Sequence, residues 1–157
     1  MGVIRFCFIL GLTFALAGCV SFPQTPDEFR ATSAGTLDFD VDLPLHESYA
    51  LVARNTIKCH QGNSSQMSMI QSSFVVMPTG ETRVEGKMDA SGSRAFVTVS
   101  YAGPTASGLL QVIDFVAVSN SESRITVHRL NDTRKWQTAT AATQEWFFGG
   151  TKCYEMW

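Results

Sequence analysis

An excess of charge of either sign is what this sequence lacks. Among its 157 residues, 12 Lys and Arg stand against 14 Asp and Glu, a formal net charge of −2. That balance argues against a general nucleic-acid binder, which needs a basic face to displace counterions. Long apolar runs are missing too, since a membrane-crossing helix needs about 20 consecutive apolar residues and no segment provides them. Histidine is scarce, with three residues, and none has catalytic spacing. His46-Glu47 lacks the second histidine four residues on that a zinc-protease helix requires. No G-x-S-x-G turn, S-x-x-K pair, glycine-rich phosphate loop or internal repeat is visible, so the sequence implies no cofactor and no reaction.

What is present begins at the N-terminus. Met1 to Arg5 carry one positive charge, and Phe6 to Leu16 form an apolar run interrupted only by Gly11 and Thr13. It ends in the small residues of Leu16-Ala17-Gly18-Cys19. These four residues resemble the lipobox of bacterial lipoproteins. The resemblance implies that residues 1–18 are a signal peptide and that Cys19 becomes the first residue. Its sulfur would then carry a diacylglyceryl group and its new α-amino group a palmitate-type chain. A single chain anchors only marginally, at roughly 0.8 kcal/mol per buried methylene, whereas several chains on one residue hold stably. An uncleaved anchor or an ordinary secretory signal is the alternative. In the enterobacterial version of the family, an aspartate after the cysteine retains the protein in the inner membrane. Val20 stands there instead, which implies outer-membrane delivery and a domain facing the periplasm. Loss of residues 1–18 would remove Arg5 alone among the charged residues, leaving the acidic groups three in excess.

Of the four cysteines, Cys7 would leave with the signal and Cys19 would be consumed by lipid. Cys59 and Cys153 remain in a compartment that oxidises thiols, and a disulfide between them is expected. Two unrelated buried thiols are the alternative. A two-cysteine metal site would lack the nearby ligands to complete four.

Residues 19–35, with two prolines and little periodicity, read as a lipidated tether, and residues 36–157 read as a single α+β domain. Leu37, Phe39, Val41 and Leu43 alternate with Asp38, Asp40 and Asp42, the period-two pattern of a half-buried strand. Pro44 then suits the start of a helix, on which Leu45, Tyr49, Val52, Ala53 and Ile57 recur at helical spacing to about His60. Five strands are expected next, over residues 67–77, 82–88, 95–101, 109–118 and 124–130, with turns such as Pro78-Thr79-Gly80 at the joints. Asp132 would cap a last helix carrying Trp136, Ala139, Thr143, Trp146 and Phe147. The order β-α-β-β-β-β-β-α predicts an antiparallel sheet of about six strands with two helices on one face. The first and last strands are expected to pair, bringing Asp38 to Asp42 near Arg124 and His128. The strand-proline-helix opening over Val41 to Val52, with a final helix over Trp136 to Phe148, resembles a reduced helix-grip arrangement of the START and Bet v 1 type. It differs in having fewer strands and no second short helix.

Several residues could carry chemistry. Asp38 and Asp42 would lie about 13 Å apart along a strand, too far for one calcium ion to bridge all three aspartates. Met67-x-Met69 with His60 could hold soft copper, although methionine is equally a core filler. Arg124, Arg129, Arg134 and Lys135 could meet anionic lipid or a partner, or simply face solvent. The aromatic residues Trp136, Trp146, Phe147, Phe148, Tyr154 and Trp157 are too close in sequence to point one way. Core packing would take some of them, leaving Trp136, Trp146, Tyr154 and Trp157 as candidates for a partner or ligand surface. The sequence thus supports a membrane-anchored, non-enzymatic envelope lipoprotein with a binding or structural role, toward a protein partner or an apolar ligand. Copper handling, or a catalytic module without a recognisable motif, is the alternative.

Overall fold

The alternation of apolar and acidic residues after Gly35 becomes strand β1 (Gly35–Val41), whose burial alternates with the same period. A computed structural model describes residues 22–70, 73–104 and 106–154, with the backbone alone over 63–70 and 73–79. Cys19, Val20 and Trp157 lie outside the described residues. Pro44 stands at the N-cap of α2 (Leu45–His60), which buries Leu45, Ser48, Val52 and Thr56 on one side. Five strands follow: β2 (Gly62–Ile70), β3 (Ser73–Met88), β4 (Arg94–Ala102), β5 (Ser107–Ala117) and β6 (Ser123–Arg129). A last helix, α3 (Arg134–Glu145), runs into a single 3-10 turn over Trp146–Phe148.

All neighbouring strands are antiparallel, in the order β1-β6-β5-β4-β3-β2. The fold is therefore α+β, with β1 and β6 paired as the element order predicts. Because side chains alternate across a sheet, Val97, Ile113, Phe115, Ile125 and Val127 form one inner face. Leu45 and Val52 of α2 pack on that face together with Trp146. Tyr49 meets Phe115 edge-on at 5.9 Å, and Phe39 meets Phe147 at 5.7 Å. Cys59, near the end of α2, is bonded to Cys153, with an S–S length of 2.05 Å and Cα atoms 5.2 Å apart. Closing a loop of 94 residues contributes about 4.7 kcal/mol in the chain-entropy model.

Three expectations are corrected. The stretch read as a tether over 19–35 contains a helix, α1 (Pro26–Thr32), before β1 begins at Gly35. Thr25 caps it by accepting from the Glu28 N–H at 3.2 Å, while the Glu28 carboxylate accepts from the Gln24 N–H at 2.9 Å. This is close to a capping box, with Pro26 in the first turn. Phe29 is wholly buried against Leu109 and Val112, so α1 covers the outer face of the sheet, opposite α2.

The strand expected over 67–77 is two strands, since β2 ends at Ile70 and β3 starts at Ser73. Pro78-Thr79-Gly80 is no turn but an irregularity inside β3, where Gly80 lies opposite Ser64 and Pro78 opposite Ser65. A bulge tolerates proline, which cannot donate to the ladder. Gly80 has φ +140, and a Cβ there would meet the Tyr101 ring at 2.5 Å. Asp132, finally, does not cap α3. Thr133 holds the cap position, and Asp132 instead accepts from Arg129 and Gln137.

Candidate functional site

Of the residues singled out at the C-terminus, Trp136 and Tyr154 share one apolar cluster and Trp146 belongs to another, while Trp157 lies outside the described residues. Trp146 is 5% exposed, and its indole N–H donates to the Lys152 carbonyl at 3.2 Å. Trp136 and Tyr154 are half-buried against Val99 and Ala139, and the Tyr154 hydroxyl donates to Glu145 at 3.3 Å. Trp146 continues the buried side of α3 set by Ala139, Ala142 and Thr143, and the disulfide draws the final segment back onto the domain. Only Phe148 of the described aromatics is well exposed, at 81%. Arg134 and Lys135 line a shallow hollow of about 500 Å³ beside Cys153 and Tyr154.

The acidic strand is satisfied by its neighbour. Arg124 donates to both Asp40 oxygens at 2.7 and 3.0 Å, and the Thr126 hydroxyl donates to Asp38 at 2.6 Å. The Arg124 hydrogen bonds hold the Asp40 carboxyl below the usual carboxylate range. His60 closes α2, where burial lowers its pKa to about 4, so its imidazole is neutral at ordinary pH. The side chains of Met67 and Met69 lie outside the described residues, and no group of three His, Cys, Asp or Glu among the described residues could hold a metal.

A different cluster occupies the outer face. Successive rows across the strands place Phe96 opposite Asp114 and Asp114 opposite Thr126, with Arg94 opposite Val116 in the next row. From above, Arg30 of α1 grips Asp114 with both arms of its guanidinium, at 2.7 and 2.6 Å, and stacks over Phe96 at 5.6 Å. His128 Nε2 lies 3.1 Å from the same carboxylate. Burial would raise the Asp114 pKa. Hydrogen bonds and charge from His128 and Arg30 outweigh burial and hold the group below the usual range.

An aspartate beside a histidine invites a catalytic reading, which the geometry opposes. A general-base histidine needs its second nitrogen free to reach a substrate proton. Here Nδ1 of His128 is buried and has no partner among the described residues, and both Asp114 oxygens are occupied. The trio acts as a clamp that fastens α1 to the sheet.

Beside the clamp lies an open groove of about 650 Å³, between α1 and the turn that joins β3 to β4. Phe96, Val116 and Thr126 supply its floor, and Lys87 and Arg94 stand at its edge. Neither the Lys87 ammonium nor the Arg94 guanidinium is paired among the described residues. The nearby Asp89 carboxylate is committed to the turn, where it accepts from Ser91 and from the Ser93 and Arg94 N–H groups. Sequence reasoning placed Arg124 and His128 on this polar face but missed Arg30, Phe96 and Asp114. The available signal was Asp114 itself, a lone charge in the otherwise uncharged run from Leu109 to Val118. A search of protein-family models, curated proteins and solved structures finds no match to this chain.

Proposed function

We propose that this chain is a lipid-anchored envelope lipoprotein, held in the outer membrane through Cys19, whose domain binds rather than catalyses. The ligand is an amphipathic molecule with an acidic head. The observation that carries this reading is the conjunction of two cations unpaired among the described residues, Lys87 and Arg94, with the apolar floor of Phe96 and Val116. A binding groove combines apolar walls with a few polar groups that fix orientation. Guanidinium and ammonium groups select carboxylate or phosphate, and guanidinium does so with two parallel hydrogen bonds. The lipobox residues Leu16-Ala17-Gly18-Cys19 support the location, and Val20 supports the outer over the inner membrane.

The test is titration of the purified protein with a fluorescent long-chain fatty acid, alongside the neutral alcohol of the same length. The acid binds the wild type and the alcohol binds weakly. Arg94→Ala with Lys87→Ala weakens the acid by about tenfold, equivalent to about 1.4 kcal/mol, and leaves the alcohol unchanged. Equal affinity of acid and alcohol, or an unaffected double variant, would overturn the reading.

A further inference from the structure

The described fold begins very close to the proposed anchor. The Pro23 carbonyl accepts from the Leu109 N–H at 2.8 Å, and the Gln24 amide donates to the Ser107 carbonyl at 2.9 Å. Gly108, with φ +144, admits this approach, since a Cβ there would lie 2.4 Å from Cβ of Phe22. Four residue steps separate Cys19 from Pro23, a reach of at most about 14 Å. The end of the sheet where β4 finishes at Ala102 and β5 starts at Ser107 is therefore the end nearest the anchor.

At this same end one hairpin continues past the rest of the sheet. The pairing of β3 with β4 stops at Glu81 and Ala102, and residues 73–80 of β3 pair with β2 alone. Eight strand residues extend about 26 Å, which exceeds the reach of the tether. From Gln61 to Gly80 the sequence holds no Asp, Glu, Lys or Arg. The register sets Met67 opposite Val76 and Met69 opposite Phe74, so these four apolar positions share one face of the ribbon. A two-stranded ribbon is marginal in water without a surface to cover its apolar face.

We propose that the β2–β3 hairpin is a second membrane contact, laying the face of Met67, Met69, Phe74 and Val76 on the lipid surface that holds Cys19. This inference rests on the lipoprotein reading, because the short tether is what brings the hairpin to the bilayer. A ribbon longer than the tether, leaving the same end of the domain, meets the headgroups unless the whole domain tilts. Its lack of charge lets it stay there, as an interfacial segment does when its apolar face is large enough.

Phe74→Cys and, at the opposite end of the sheet, Val118→Cys each take a nitroxide label. The lipidated protein is then reconstituted in vesicles of phosphatidylethanolamine and phosphatidylglycerol. The label at 74 collides several-fold more with oxygen than with a water-soluble nickel chelate, and the label at 118 shows the reverse. Nickel access at 74 equal to that at 118 would overturn the proposal. Spin–spin broadening at 74, relieved by dilution with unlabelled protein, would assign the face to a second copy of the chain instead. Mass spectrometry of the same preparation keeps the two readings apart: an unmodified Cys19 removes the anchor and the proposal with it, whereas a lipidated Cys19 with a water-exposed label removes the hairpin contact alone.

Discussion

Asp114 joins three elements at one carboxylate, since Arg30 reaches it from α1 and His128 from β6. Its strand, β5, lies between β4 and β6, so an unpaired charge there would be costly. Asp114→Asn should lower unfolding free energy by about 1–3 kcal/mol, the usual range for losing a charge-assisted, partly buried hydrogen-bonded group. The pH dependence has a definite sign. The folded-state pKa lies below the ordinary value of 3.8, so the unfolded chain binds the proton more readily. The stabilisation is complete above the ordinary value and is lost as pH falls through the folded one. In denaturant titrations the gap between wild type and Asp114→Asn should be open above about pH 4 and close as pH falls below it. A gap that widened in acid would show that this carboxylate is not held ionised by its partners.

At the scale of elements, α1 is the piece that converts a half-covered sheet into one with a clamp and a groove. Seven residues are too few to hold a helix in water, so its order comes from Phe29, the Thr25 cap and the Arg30 pairs. Phe29→Ala should cost about 3–5 kcal/mol if the rest of the domain does not close the gap. Hydrogen exchange in this variant should show early loss of protection over 26–32 while β5 and β6 stay protected. Simultaneous loss everywhere would mean that α1 folds with the core as one unit. The strands and α2 were legible because periods of 2 and 3.6 are strong in Leu37 to Leu43 and in Leu45 to Ile57. Helix α1 was harder to read, being too short to show a period, although Thr25-Pro26-Asp27-Glu28 spelled out its cap. The break between the end of β2 at Ile70 and the start of β3 at Ser73 was hidden because Met67 to Met77 carries no glycine and no charge to mark it. The inward side of Trp146 was legible, since it follows the buried Ala139, Ala142 and Thr143 at helical spacing, whereas the return of the tail through Cys153 leaves no local period to read.

On the scale of the whole molecule, the disulfide, the anchor end and the groove form one arrangement. The groove adjoins the turn between β3 and β4, at the opposite end of the sheet from Pro23, so a domain tethered at Cys19 would open it away from the lipid, toward the aqueous compartment. With that anchor, a ligand would arrive from solution and not from the bilayer. The Cys59–Cys153 bond ties the last described residues to α2 and fits a compartment that oxidises thiols. Location, orientation and the role of the hairpin all depend on Cys19. Intact-mass and N-terminal peptide mass spectrometry of protein extracted from membranes tests it most directly. The account predicts a mature chain that begins at Cys19 and carries a diacylglyceryl thioether with an acylated amino group. A chain that begins elsewhere, or a free thiol at Cys19, would contradict it.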